Sequence, residues 1–439
     1  LQTAALTRRR VLGSASWATA QQFVMLGSTA ITGILLARTL STEDFGAFSY
    51  AAALAGIGTA VLTGGLSGLA IKALVDDAGR QHRTMAALIL IRESLAALAY
   101  VVLIGFAALT GEPRTTAITA VALLALFARG LDATELYFQA EVASHKSAVV
   151  RIGVVLVLLA ARLAAAASGA SLVVFVVLYV VEAAATSTGL LARYLTTESS
   201  PGFARPELAR ARELLSQSWL VLLSGVAAFI NLRVDLILIQ AVMGTAAVGT
   251  YAAAARLSEL PYFLPVVFMT ATFPVLLAVR RRAGAQSAEY LTALQRSYDQ
   301  ACWIGIAIAA ALWLIGPWLI VTLYGERYAA AGEILQIHVL ALPFVFMAAV
   351  FSKWIIAEGL LVASLIRHTF GACVNVALNL LLIPDHGLRG AAIATVFSYT
   401  VASYFACFIG ARTRPAGLMM TRALLAPGLL ARQRLVGGA

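Results

Sequence analysis

The chain has 439 residues, of which 61% are hydrophobic and only 12% charged, with a mean hydropathy of +0.88 and a net charge of +11. A soluble globular protein carries about twice that charged share, and apolar runs of roughly 20 residues or more recur along nearly the whole length, each able to cross about 30 Å of hydrocarbon as a helix. Composition therefore excludes a soluble enzyme and predicts an all-α, polytopic membrane protein.

The chain opens on a basic segment, T-R-R-R-V-L-G (Thr7 to Gly13). It is similar to a twin-arginine export signal, but the apolar run behind it continues into further spans and no A-x-A site intervenes, so a cytoplasmic tail is expected. Six spans follow, near residues 12–37, 45–71, 84–109, 115–139, 146–167 and 170–195. A polar, Pro-containing linker occupies 196–211. A second set of six lies near 212–241, 246–279, 297–323, 331–357, 362–383 and 387–411. The expected organisation is a six-helix lobe over 1–195, the cytoplasmic linker, a second six-helix lobe over 212–411, and a basic tail over 412–439 at the cytoplasmic interface.

Two segments tie the lobes together. Leu35 to Leu54, L-L-A-R-T-L-S-T-E-D-F-G-A-F-S-Y-A-A-A-L, joins the first two spans, and Leu238 to Leu257, L-I-Q-A-V-M-G-T-A-A-V-G-T-Y-A-A-A-A-R-L, is a weaker copy in the other lobe. Thr42 falls on Thr245, Gly46 on Gly249, Phe48 on Tyr251 and Leu54 on Leu257. Duplication of this kind is characteristic of transporters.

Loop charge sets the topology. Of the 32 basic residues, 23 fall on one side, including Arg8, Arg9, Arg10, Arg280, Arg281 and Arg282. Only Arg38, Arg114, Arg162, Arg327 and Arg389 fall on the other. The positive-inside rule makes the first side cytoplasmic and places both termini there. This asymmetry accounts for the net charge, so no nucleic-acid partner is needed. Cys302, Cys373 and Cys407 sit inside apolar runs without paired spacing, and the five histidines are scattered. Neither a disulfide framework, a metal site nor a cofactor follows from them.

The remaining four arginines, Arg92, Arg129, Arg233 and Arg256, lie within spans. Each costs about 2.5–3.5 kcal/mol at a helix centre. They are expected to line a water-filled cavity as substrate contacts, or to pair with acids. Arg129 with Asp132, and Arg256 with Glu259, are spaced i,i+3 and can meet on one helical face. Arg92 beside Glu93, and Arg233 two residues from Asp235, cannot meet along their own helices and must find partners elsewhere. Glu182 stands alone near the middle of the sixth span, and an isolated carboxylate held protonated suits proton coupling. Its bland reading is a neutral acid bonded to a neighbouring helix. Glu93, Asp132, Asp235 and Glu259 are the further candidates for ion or proton coupling. Gly64 and Gly65 allow close helix approach, while Pro261, Pro265 and Pro274 interrupt the eighth span. These five are the expected hinge or gating positions, unless they are purely structural.

The hairpin A-R-T-L-S-T-E-D-F-G (Ala37 to Gly46) resembles the first-loop motif of the polysaccharide transporter family, the O-antigen type flippases of the multidrug/oligosaccharidyl-lipid/polysaccharide exporter superfamily. N-L-R-V-D (Asn231 to Asp235), V-G-T-Y-A-A-A-A-R-L-S-E-L (Val248 to Leu260) and N-L-L-L-I-P-D-H-G-L-R-G-A-A-I-A-T (Asn379 to Thr395) are similar to the same family. The resemblance implies two six-helix bundles around a central cavity. It implies a polyprenyl-pyrophosphate-linked oligosaccharide as substrate, moved to the outer leaflet of the cell membrane by alternating access. It further implies a monomer, with a glycan polymerase or glycosyltransferases as partners. No coupling-ion motif carries over.

Three rivals were weighed. V-D-D-A-G-R-Q-H-R (Val75 to Arg83) only partly matches the major-facilitator loop motif. A drug/cation antiporter of the same superfamily would need a cavity dominated by acids, whereas arginines here at least match them. A membrane glycan polymerase or ligase would need a large external loop, and there is neither such a loop nor a P-loop or G-x-S-x-G elbow. A transporter without catalytic residues is the expectation.

Overall fold

Long apolar runs have one way to satisfy their backbone in hydrocarbon, which is to form helices. In the computed structural model every regular element among the described residues is helical. The backbone is described for residues 2–63, 66–198 and 200–436, and the side chains for these except 2–12, 15, 78 and 426–436. Gly64 and Gly65 lie outside the described residues.

The helices are α1 (Gln2–Thr39), α2 (Thr42–Thr63), α3 (Leu66–Asp76), α4 (Gln81–Thr110), α5 (Pro113–Leu123), α6 (Ala125–Gly130), α7 (Thr134–Ala140), α8 (Ser144–Ala167), α9 (Leu172–Leu195) and α10 (Leu208–Met243). They continue with α11 (Thr245–Glu259), α12 (Phe263–Ala283), α13 (Ala288–Tyr324), α14 (Ala331–His338), α15 (Leu342–Ala357), α16 (Leu361–Ser403) and α17 (Arg414–Val436). Eleven helical stretches among the described residues are long and apolar enough to cross a membrane. The last, Leu361–Phe408, has 48 residues and would be about 72 Å long if straight, more than twice a bilayer core. It is not straight. Gly387 takes φ 56° and ψ −137°, a conformation open to glycine, and a Cβ added at Gly390 would overlap the Leu382 carbonyl oxygen. The chain doubles back there, so this stretch is two antiparallel spans and the twelve expected crossings are recovered.

Packing divides the chain into two compact units, Leu1–Ala252 and Ala253–Ala439. The division falls inside α11 and not in the polar linker, because α10 packs on α2, α3 and α4. In the first unit the linker is pinned to the helix ends: Tyr194 donates to the Gly202 carbonyl at 2.8 Å, and Arg83 pairs with Glu207 at 3.1 Å. Beneath it Leu66, Leu74, Leu88, Tyr137, Phe138 and Leu214 form a buried cluster. At the other end Arg114 pairs with Asp44 at 2.7 Å and Glu43 at 3.7 Å. The second unit is sorted in the same way. Arg280 pairs with Glu358 at 2.9 Å, and Arg389, from the sparsely charged group of loops, pairs with Glu333 at 2.7 Å.

The repeated hairpins meet. A Cβ built on Gly46 would overlap the Thr245 carbonyl oxygen, and one built on Gly249 would overlap that of Thr42. Both glycines and both threonines are aligned positions of the repeat, so α2 and the start of α11 exchange the same contact reciprocally, as about a local two-fold axis.

Two of the three expected hinge prolines sit where the ladder already breaks, and the third does not. Pro261 lies in a 3-10 turn, Leu260–Tyr262, separating α11 from α12. Pro265 is in the first turn of α12, and Pro274 is inside it. The tail expected at the membrane interface forms α17, which lies against α13. Gln295 donates to the Met419 carbonyl at 3.0 Å and Trp303 to that of Ala423 at 3.2 Å.

Candidate functional site

Intramembrane charge in the first unit collects on α4 and on α6 to α9. Asp132 lies in a 3-10 turn, Leu131–Ala133, that separates α6 from α7. This turn rotates the chain between Arg129 and Asp132, and the expected i,i+3 pair gives way to two separate arrangements. Asp132 accepts from Arg151 of α8 at 3.0 Å and from Ser187 of α9 at 2.5 Å. Arg151 also donates to Glu135 of α7, from its terminal nitrogen at 2.6 Å and from Nε at 3.1 Å. Arg92 of α4 is 2% exposed and feels the charges of Asp132 and Glu135. It makes no direct ion pair with either acid among the described residues, and its buried Nε meets no protein acceptor.

Arg129 points elsewhere. Its guanidinium donates to Thr59 of α2 at 3.0 Å and to the Tyr179 hydroxyl of α9 at 3.1 Å, and it lies 5.5 Å from the centre of the Tyr179 ring. Tyr179 is in turn braced edge-on by Phe48 at 6.1 Å. Arg129 is half-buried, and among the described residues no carboxylate pairs with it. Its neutral partners orient the charge without cancelling it. Glu93, next to Arg92 in sequence, lays its carboxylate against the backbone of Gly130, and its buried Oε1 meets no protein donor.

Glu182 is not isolated. Arg162 of the preceding helix, 5% exposed, pairs with it at 2.5 Å. The sequence reading assigned Arg162 to an external loop because it lies near the end of its span, yet it reaches inward along α9 to the acid. Replacing Glu182 with Gln is expected to lower the melting temperature by leaving a buried guanidinium uncompensated. The double change Arg162→Met, Glu182→Leu is expected to restore it, since apolar replacement of a whole buried pair is near neutral. A double variant as unstable as the single one would show that the pair is not the reason.

In the second unit Arg256 and Glu259 lie at the end of α11, both half-buried. Each is engaged in an interaction, as are Arg233 and Asp235 of α10 in the first unit. Between Arg256 and Glu259 stands Ser258, whose hydroxyl donates to the Ala255 carbonyl at 2.9 Å and bonds His338 Nδ1 at 2.8 Å. With its one hydrogen on Ala255, Ser258 accepts from Nδ1–H. Asn375 and Asn379 bond one another one turn apart on α16, fully buried.

Arg151, Glu135, Tyr179, His338 and Asn375 were absent from the sequence candidates. Arg151 lies five residues into its predicted span, close enough to the basic end to be counted with the loop. Tyr179 and Thr59 carry no charge to draw attention.

The family model described as polysaccharide biosynthesis protein matches residues 11–280, more than half of the chain. The chain belongs to the polysaccharide biosynthesis protein family. A curated relative, "Probable flippase AglR" of Haloferax volcanii, is 29% identical over 184 residues, covering 39% of this chain and 36% of that protein. The chain thus spans about a third of the length of the curated relative it matches. Among solved structures, the inward-facing conformation of a multidrug resistance MATE transporter of the MOP superfamily superposes with a TM-score of 0.73 at 16% identity, covering 90% of this chain and 95% of that one. The lipid II flippase MurJ in an inward closed conformation gives 0.71 at 15% identity, covering 94% and 91%. This family member shares their all-helical membrane-transporter fold.

Proposed function

We propose that this protein is a flippase that moves a polyprenyl-pyrophosphate-linked oligosaccharide from the cytoplasmic to the outer leaflet of the cell membrane by alternating access. Its lobes are taken as residues 1–195 and 212–411, with both termini cytoplasmic by the charge of the loops. Arg129 is the observation that carries this reading. A half-buried guanidinium held, among the described residues, by the neutral Thr59 and Tyr179 has no carboxylate set against it, and a pyrophosphate presents the anionic group that would suit it. A cationic drug would be repelled there, which disfavours the antiporter alternative. The family and the flippase relatives support the substrate class, and no catalytic step is invoked.

Arg233 and Arg256 are the further candidate substrate contacts, while Arg92, enclosed with Asp132 and Glu135, supports the lobe itself. Among the acids, Glu93 is best placed for ion or proton coupling, because its buried Oε1 has no protein donor. Replacing Arg129 or Arg233 with Ala is expected to lower glycan-lipid translocation by about tenfold, the loss of one charge-assisted contact, with protein abundance unchanged. Arg92→Ala is expected to lower abundance as well. Transport equal to wild type in both Arg129→Ala and Arg233→Ala would overturn the cationic site.

A further inference from the structure

Arg367 lies six residues into α16, near the end that the loop charges place at the cytoplasm, and is 5% exposed. The other buried arginines described above each face acids: Arg92 and Arg151 face Asp132 and Glu135, and Arg162 faces Glu182. Arg367 faces none. One terminal nitrogen donates to Ser352 of α15 at 2.7 Å, and the guanidinium lies 5.3 Å from the centre of the Phe351 ring. The titratable groups close enough to interact with it are the Tyr298 hydroxyl of α13 and the Cys407 thiol, both neutral while protonated, and that thiol is spent on the Ser403 carbonyl at 3.3 Å. Glu358, the acid closest to it in sequence, is bound to Arg280.

Two buried polar atoms are left over on these interacting side chains, and each can donate a hydrogen bond. Arg367 Nε meets no protein acceptor, and neither does the hydroxyl of Tyr298, which is 0% exposed. Burying a cation without an opposing charge is unfavourable, and so is leaving a buried donor unpaired. Donors on α13 and α16 that lack acceptors call for the same missing partner, a compact anion. Cation–π contact with Phe351 offsets only part of this cost.

We propose that Arg367 and Tyr298 form a binding site for a monatomic inorganic anion of the halide class, within the second unit and separate from the Arg129 site. Near-complete burial of both side chains favours a small ion over a lipid phosphate. The site stabilises the fold whatever the transported substrate is, so its test does not depend on the flippase reading.

The full chain, purified in detergent, is titrated with chloride against gluconate at constant ionic strength while its melting temperature is followed. A saturable rise of roughly 2–4 °C is expected, abolished in Arg367→Gln and reduced in Tyr298→Phe. Bromide in place of chloride is expected to give an anomalous scattering peak beside Arg367. If Arg367→Gln cannot be purified, the wild type and Tyr298→Phe decide the matter alone. A wild type indifferent to chloride overturns the proposal, as does a Tyr298→Phe variant with the full response. So does stabilisation by phosphatidylglycerol alone, which would assign the two donors to a lipid phosphate.

Discussion

Leucine at position 46 or 249 is expected to destabilise the protein by about 3 kcal/mol or more. Overpacking in a tight interior costs roughly 1–3 kcal/mol when neighbouring side chains can shift. Here the atom in the way is a backbone carbonyl, of Thr245 against Gly46 and of Thr42 against Gly249, and it cannot rotate aside. Alanine at either position carries the same Cβ and is expected to be destabilising too. Gly105 and Gly153 are the controls, since nothing lies within 4 Å of a Cβ built on either. Alanine there is expected to raise stability by up to about 1 kcal/mol through helix propensity. Because one interface holds both glycines, the double change Gly46→Ala, Gly249→Ala is expected to cost less than the two single changes summed. Melting temperatures of the seven variants in one detergent check this. Gly46→Ala behaving like Gly105→Ala would refute the close approach of α2 and α11.

Replacing Arg151 with Met is expected to cost about 3–5 kcal/mol, because it leaves Asp132 and Glu135 without their shared cation. One terminal nitrogen of Arg151 reaches both acids and Nε adds a third bond. A lysine presents a single point charge and cannot copy that fork, so Arg151→Lys is expected to recover only part of the loss. Asp132→Asn is expected to be milder, since Ser187 still has an acceptor at that position. A double-mutant cycle between Arg151 and Glu135, read as denaturation midpoints or melting temperatures, measures the coupling. Additive single and double variants would mean that these charges act independently.

Much of this was legible in the chain itself, for identifiable reasons. An apolar run has no alternative to a helix in hydrocarbon, so the spans could be read directly, and the residue types at Pro384 to Gly390 marked the last reversal. The twofold repeat was readable from Gly46 and Gly249. Their mutual contact was not, because sequence alignment shows equivalence and says nothing of proximity. Site residues were legible only as isolated charges. The i,i+3 rule paired Arg129 with Asp132 on the assumption of an unbroken helix, and a three-residue 3-10 turn at Leu131–Ala133 defeats it. Glu182 looked solitary because its partner, Arg162, lies 20 residues away on the preceding helix. Arg367 was counted among the loop cations because it lies near a span end, although it is enclosed.

By itself, then, the amino-acid order determined the class of protein, the number of crossings and the duplication, since each depends on hydropathy and local backbone chemistry acting over roughly 20 residues at a time. Tertiary structure alone decided which charges cancel and which remain. Arg92, Arg129, Arg151, Arg162 and Arg367 are the same side chain in similar apolar surroundings. They differ in what adjacent helices bring within about 3 Å: acids for Arg151 and Arg162, neutral hydroxyls for Arg129 and Arg367, and for Arg92 only the longer-range field of Asp132 and Glu135. Coulomb energy in a medium of low dielectric varies steeply over such distances, and no spacing along a single helix encodes them.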